Sequence, residues 1–297
     1  MKKSLLAGLI CLFGAAGAQA VYIPSVADGP WEDAATWENG KIPGTNDYAN
    51  VTNGKNVTLS SVVTVNQYGN DNAGVLTVNS GGSLTSTYGD TKPRGGTVNV
   101  ETGGSVTHIG WFGITAPQAS GKAYAINVNG GSYWHKQQMY LGGADVQNAT
   151  IAVTVNSGTF QSGFIELRAS IGTTVTLDVK GGTARVDYLK FVDHTGANSV
   201  TVDGGDLIIR TWNESESLQF ASASDKVWFE EGSIVFEGVD SQAEFTAFQS
   251  TFNTWVDAGN VDSATYTDQQ LKDHLIFDGT NAVLLFVPST MGLLISP

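Results

Sequence analysis

The stretch TVNVETGGSVTHIGWFG, Thr97 to Gly113, alternates apolar and polar residues, breaks at two glycines, and resumes the alternation. Period-two alternation buries one face of a β-strand and wets the other. A glycine at a fixed place turns the chain sharply, because it accepts a positive φ. Written as apolar-x-apolar-x-x-Gly, the phrase recurs. It reads Ala49/Val51/Gly54, Leu76/Val78/Gly81, Val98/Val100/Gly103, Ile126/Val128/Gly131, Val153/Val155/Gly158, Leu177/Val179/Gly182, Val200/Val202/Gly205 and Val227/Phe229/Gly232. The second apolar position advances by 27, 22, 28, 27, 24, 23 and 27 residues. After the glycine a second apolar position returns at Leu84, Val106, Tyr133, Phe160, Ala184, Leu207 and Ile234. A third short strand follows in several copies: Met139-x-Leu141, Ile165-x-Leu167, Leu189-x-Phe191 and Leu218-x-Phe220.

Three strands and three turns in ~25 residues make one coil of a β-solenoid. No coil buries its apolar side alone; stacking joins those sides into one core and pairs the backbone groups of neighbouring strands. An antiparallel sandwich also has short strands and glycine turns, but its hairpins recur at roughly half this interval. The predicted fold class is therefore all-β: a single right-handed parallel β-helix of about eight coils over residues 45–236.

A solenoid has two open ends, whose unpaired edges invite aggregation. Residues 21–44, with Trp31 and Trp37 before a Gly40/Pro43 turn, are predicted to cap the first coil. Residues 237–286 are predicted to cap the last one. There Ser241 and Glu244 form a capping box, Phe245, Phe248, Phe252, Trp255 and Val256 share one helix face, and Gly259 terminates the helix. A short helix over 268–273 and a hairpin turning at Asp278-Gly279 follow.

The chain opens MKKSLLAGLICLFGAAGAQA, a basic start, an apolar run and an A-x-A site ending at Ala20. That is the layout of a secretory signal peptide over residues 1–20. Cys11, the only cysteine, lies inside it, so the expected mature chain has neither disulfides nor a thiolate metal site. Net charge is −13, and losing Lys2 and Lys3 leaves 13 basic residues against 28 acidic ones. This balance disfavours nucleic acid and anionic membrane surfaces as partners.

The pattern Trp31-x5-Trp37-x2-Gly40-x2-Pro43, followed by Asp47 and a first strand, resembles the opening of bacterial autotransporter-type β-solenoid surface proteins. The ending Val287-Pro288-Ser289-Thr290-Met291-Gly292-Leu293-Leu294, within residues 287–297, resembles the start of a PEP-CTERM sorting signal. The resemblance implies export, an exosortase as processing partner, and an exopolysaccharide-producing host. The tail departs from that pattern: Glu-Pro is missing after Pro288, the apolar run stops at Ile295, and no basic cluster follows. The expectation is a degenerate or truncated signal, too short to span a bilayer.

Chemistry is thinly marked. His108, His135, His194 and His274 show no ligand spacing, and no nucleophile elbow, P-loop, dinucleotide fingerprint or calcium nonapeptide occurs. Two patches stand out. In VDYLKFVDH, Val186 to His194, a polysaccharide lyase could use Lys190 or Arg168 as base and Asp187 or Asp193 to hold Ca²⁺. The second patch is aromatic: Trp111, Tyr133, Trp134 and Tyr140, with Phe112 and Tyr188 beside them. Exposed rings on adjacent coils would stack sugars, since a ring face matches the apolar face of a pyranose; buried ones would fill the core. Strand parity turns Tyr133 inward and Trp134 outward. The expected role is a non-enzymatic structural or adhesive protein of the cell surface or its polysaccharide matrix, with a polysaccharide lyase or glycoside hydrolase as the alternative.

Overall fold

The computed structural model describes residues 20–88, 93–115, 117–192, 195–210 and 218–286. The chain is a β-solenoid of about eight turns. Its first face pairs strand segments in parallel, coil upon coil, and one inward column runs Leu59, Val78, Val100, Val128, Val155, Val179, Val202 and Phe229. Every member of that column is fully buried and apolar. The second face stacks Val63, Leu84, Val106, Tyr133, Phe160, Ala184, Leu207 and Ile234 in the same way. The third face aligns Phe112, Met139, Ile165, Leu189 and Leu218. All three predicted strands of the unit are present, and the third closes the triangle around the core.

The corner between the first and second faces explains the recurring glycine. Gly158 has φ +81°. A Cβ there would lie 2.2 Å from the carbonyl oxygen of Gly131 one coil below. At Gly232 the same construction meets the carbonyl of Gly205 at 2.0 Å. At these two positions the coils approach so closely that no side chain fits, and the positive φ also disfavours any L-residue.

Outward positions are tied by side-chain ladders. Asn127 Nδ2 donates to Asn99 Oδ1 at 2.9 Å, Asn156 Nδ2 to Asn129 Oδ1 at 2.8 Å, and Asn129 Nδ2 to Glu101 Oε1 at 2.9 Å. Asn127 and Asn99 meet because they are in register along the first face, whereas the Asn129 contacts fall at the corner where the register shifts.

One copy of the repeat stands elsewhere. The structure aligns Val57 and Leu59 with Leu76 and Val78, so the first coil of this face starts there. Ala49 and Val51, expected in that place, belong to a separate three-stranded sheet of residues Tyr22–Pro24, Tyr48–Val51 and Gln67–Asn70. Leu59 is followed by Ser60-Ser61-Val62, with no glycine to mark the corner, whereas Gly54 follows Val51 at the expected offset.

Aromatic residues lie at the N-terminal end of the stack, and a helix and hairpin lie at the C-terminal end. Trp31 and Trp37 are buried, 4.7 Å apart edge to face, and Trp37 Nε1 donates to the Trp31 carbonyl at 2.7 Å. The N-terminal segment is itself a partial coil: Tyr22–Pro24 pairs with Tyr48–Asn50, and Gly29–Pro30 pairs with Val57–Thr58. At the other end, helix α1 spans Gln242–Asp257 and buries Phe245, Phe248, Phe252 and Val256, with Trp255 partly buried. Phe248 packs 4.7 Å from Phe236 of the last coil. The capping is reciprocal but displaced by one residue: Ser241 Oγ accepts from the Glu244 amide, and Glu244 Oε2 accepts from the amide of Asp240. Gly259 ends the helix at φ +68°. Helix α2 spans Asp268–Asp273. The hairpin of Leu275–Phe277 and Asn281–Phe286 lays its second strand antiparallel on the last coil, covering an edge that a ninth coil would otherwise pair. Among the described residues no helix is long and apolar enough to cross a membrane.

Candidate functional site

The third face carries the candidate site on its outer side. Each strand there alternates, so Met139 and Leu141 point inward while Tyr140 points out. Parity repeats this one coil on, with Phe164, Glu166 and Arg168 outward, and again with Tyr188 and Lys190. Stacked register then places Gln138, Phe164 and Tyr188 in one outer column, and Tyr140, Glu166, Lys190 and Gln219 in the next.

Four half-buried rings therefore form a continuous line along the rod. Trp111 meets Tyr140 edge-on at 5.4 Å, Tyr140 meets Phe164 at 6.4 Å, and Phe164 meets Tyr188 at 6.0 Å. Gly113 makes room for the first: a Cβ there would stand 2.5 Å from Cη2 of Trp111. Polar groups edge the line. Arg168 lies over the Tyr140 ring at 4.0 Å and is ion-paired with Glu166. The Tyr140 hydroxyl donates to Gln138 Oε1 at 2.7 Å. Phe164, Tyr188, Lys190 and Gln219 line a recess of ≈ 290 Å³. Small-molecule sites span roughly 300–1,000 Å³, so the recess holds about one ring-sized group and is open for a chain to continue past it.

The residues singled out from the sequence separate into three places. Trp111, Tyr140, Arg168 and Lys190 belong to this face. Tyr133 is fully buried, stacked 5.6 Å from Phe160 in the core, so it offers no surface to a ligand; Phe112 is buried too. Trp134 is 38% exposed but stands on the second face, in register with Thr107 and Gln161, where Lys136 sits 4.3 Å over its ring. Asp187 pairs with Arg210 at 3.2 Å, and Arg210 in turn reaches Glu237 at 3.7 Å. Glu237 also takes Arg185 through both oxygens at 2.8 Å. That network engages Asp187 in an ion pair that does not involve Lys190. Asp193 and His194 lie outside the described residues, as do the signal-like start and the sorting-like tail. Among the described residues no three of His, Cys, Asp and Glu converge to hold a metal ion.

Comparison with family models, with curated proteins and with solved structures returns no match.

Two features were not anticipated. Phe164 completes the ring line; its signal was the outward parity it shares with Tyr188 one repeat later. The other is a buried histidine pair. His108 and His135 occupy the same position in consecutive coils and lie tilted against each other, with ring centroids 6.1 Å apart. They are flanked in the same column by Ser86 and Ser162, and all four are essentially inaccessible. His108 Nδ1 and the Tyr133 hydroxyl have no hydrogen-bond partner, and neither His135 nitrogen makes a well-aligned one, although the backbone of Gln137 and Gly110 lies close to that ring. Burial, together with His135, pushes the His108 pKa down to about 3. Burial lowers His135 to about 4, partly opposed by the backbone of Gln137 and Gly110. Both rings are neutral at pH 7. Burial likewise raises the pKa of Tyr68, Tyr124 and Tyr133.

Proposed function

We propose that this protein is an exported, non-catalytic scaffold of the bacterial surface or exopolysaccharide matrix, and that it holds polysaccharide along its third face. The observation that carries the reading is the unbroken line Trp111, Tyr140, Phe164 and Tyr188 on a rigid stack of strands. Rings held by a sheet lose little freedom when a sugar settles on them, so each stacking contact contributes without a large ordering cost. Gln138, Gln219 and Lys190 offer donors to hydroxyl groups beside the rings. The signal-like start, the net negative charge and the resemblance at both ends support the address.

The test is retention of the purified mature chain, beginning at Val21, in gels containing soluble bacterial polysaccharides. Retention that falls roughly tenfold in Tyr140→Ala and Tyr188→Ala, with unchanged circular dichroism, supports the reading. Equal retention of wild type and both variants sinks it. Export is checked separately by sequencing the N-terminus of secreted material, with Val21 expected.

The lyase alternative has one point in its favour, since Arg168 and Lys190 share the ring-lined face. Against it, Asp187 is engaged by Arg210 elsewhere. Incubation with uronate polymers and Ca²⁺ is expected to give no rise in unsaturated-product absorbance; a steady rise abolished in Lys190→Ala would replace the scaffold reading with the enzymatic one.

A further inference from the structure

Resting on the stacking reading above, we infer that the third face is built for a carboxylated polysaccharide, with Lys190 taking a uronate carboxylate while the sugar ring lies on Tyr188 and Phe164. Three charged side chains stand on this outer face among the described residues: Glu166, Arg168 and Lys190. Glu166 is 7% exposed and ion-paired to Arg168. Two cations therefore share the face with one carboxylate, which is paired to Arg168, and Lys190, which lines the recess, carries the surplus positive charge. Arg168 is turned onto the Tyr140 ring. The ammonium of Lys190, in register above Glu166, lies at the wall of the recess that Tyr188 also lines.

This surplus stands on a chain with a net charge of −13. At physiological ionic strength, charges more than about 8 Å apart are largely screened from each other. Asp187 adjoins Tyr188 in the chain, but Arg210 offsets its charge, so the positive sign of the face outweighs the global one at contact. Long-range repulsion then acts on arrival and not on what is held. Neutral glycans would be served equally well by a glutamine at 190. A lysine there, beside two aromatic rings, donates to hydroxyl groups as a glutamine would and adds a charge that an anionic sugar meets.

The ring line also gives the ligand a direction. Trp111, Tyr140, Phe164 and Tyr188 fall on successive coils, which stack at ~4.8 Å. A chain lying along the rod meets one ring per coil, so affinity accumulates with polymer length.

The experiment compares a polyuronate, polygalacturonate, with the same polymer after chemical reduction of its carboxyl groups. The full mature chain is run in affinity gels against each, with Lys190→Gln, Lys190→Arg and Tyr188→Ala alongside. Wild type is expected to bind the polyuronate more tightly than the reduced polymer by roughly fivefold, the upper range for a partly exposed charge pair. Lys190→Gln is expected to erase that difference while keeping the binding of the reduced polymer, and Lys190→Arg is expected to preserve it. Tyr188→Ala is expected to weaken both polymers alike. Equal binding of the two polymers, or preference that survives in Lys190→Gln, overturns the carboxylate inference and leaves stacking intact. Binding of neither polymer, or binding indifferent to Tyr188→Ala, overturns the stacking reading and this inference with it. Lys190 points outward, so its substitution leaves folding unchanged, which a thermal melt verifies.

Discussion

The first and second faces are built from the same repeat, yet their interiors differ. On the first, the inward column from Leu59 to Phe229 is apolar in every coil. On the second, the column beginning at Val65 turns polar for four coils, Ser86, His108, His135 and Ser162, then returns to Val186, Ile209 and Phe236. Both columns are sealed from water to the same degree. The repeat therefore dictates which positions are inside, and not how well each position is satisfied there. A buried polar atom without a partner costs roughly 1–3 kcal/mol, so the second face carries a penalty in mid-rod that the first does not.

The corner shared by the two faces gives the largest expected effect. Gly158→Ala places a Cβ against the Gly131 carbonyl and demands φ +81° of an L-residue. Conformational strain of ~1–2 kcal/mol and overpacking of ~1–3 kcal/mol together predict a loss of about 3 kcal/mol or more in urea unfolding. A near-wild-type midpoint would show that coils do not meet so closely there.

Acid should break the second face before the first. In the fold His108 and His135 titrate near 3 and 4, below the ordinary 6.5. The unfolded chain therefore binds more protons between these values. Stability from the neutral pair is complete above pH 6.5, falls as pH drops below it, and is lost on passing the folded pKa values. Each histidine contributes a slope of up to about 1.4 kcal/mol per pH unit within that window. His135→Leu is expected to reduce the slope between pH 6.5 and 4 by about half and to raise stability at pH 7 by roughly 1 kcal/mol, since two poorly paired buried nitrogens are removed. Identical pH profiles for variant and wild type would mean that the pair is not sealed.

Within a single coil the contrast can be sharpened. Val155→Ala on the first face leaves a cavity in a close-packed column and is expected to cost about 2 kcal/mol. Ser162→Ala, seven residues later on the second face, removes a hydroxyl that reaches only the Phe164 carbonyl at 3.3 Å, and is expected to change stability by about 0.5 kcal/mol at most. Equal losses would indicate that the two interiors are energetically alike.

The smallest effect concerns the third face alone. Gly113→Ala forces the Trp111 ring off its seat. Polysaccharide retention should fall about two- to threefold, less than one kcal/mol, with the melting temperature little changed. Full retention would remove Trp111 from the ring line.

Most of this architecture was legible because a solenoid writes its fold locally. Alternation marks each strand, glycine marks each corner, and repetition marks the stack; from Leu76 onward every predicted pair is found in register. The one misplaced copy, Ala49/Val51, shows the limit of such marks. The first coil has no glycine after Leu59, and a neighbouring strand followed by Gly54 imitates the pattern. The C-terminal helix was legible for a separate reason, since its apolar face and caps are encoded in the one stretch from Ser241 to Gly259.

The site was only half legible. Parity sufficed to turn Tyr140 and Lys190 outward and Tyr133 inward. It did not say that Trp134 and Trp111 stand on different faces, or that Arg210, twenty-three residues from Asp187, takes that carboxylate. By itself the sequence determined the repeating unit, the inside and outside of each strand, and the need for two lids, because those follow from hydrophobic period and backbone sterics along a short stretch of chain. Only the tertiary structure decided which residues become neighbours a full coil apart. A ring line, a histidine pair and an ion-pair network depend on register between coils and on how many residues each corner spends, and neither is fixed by any one segment.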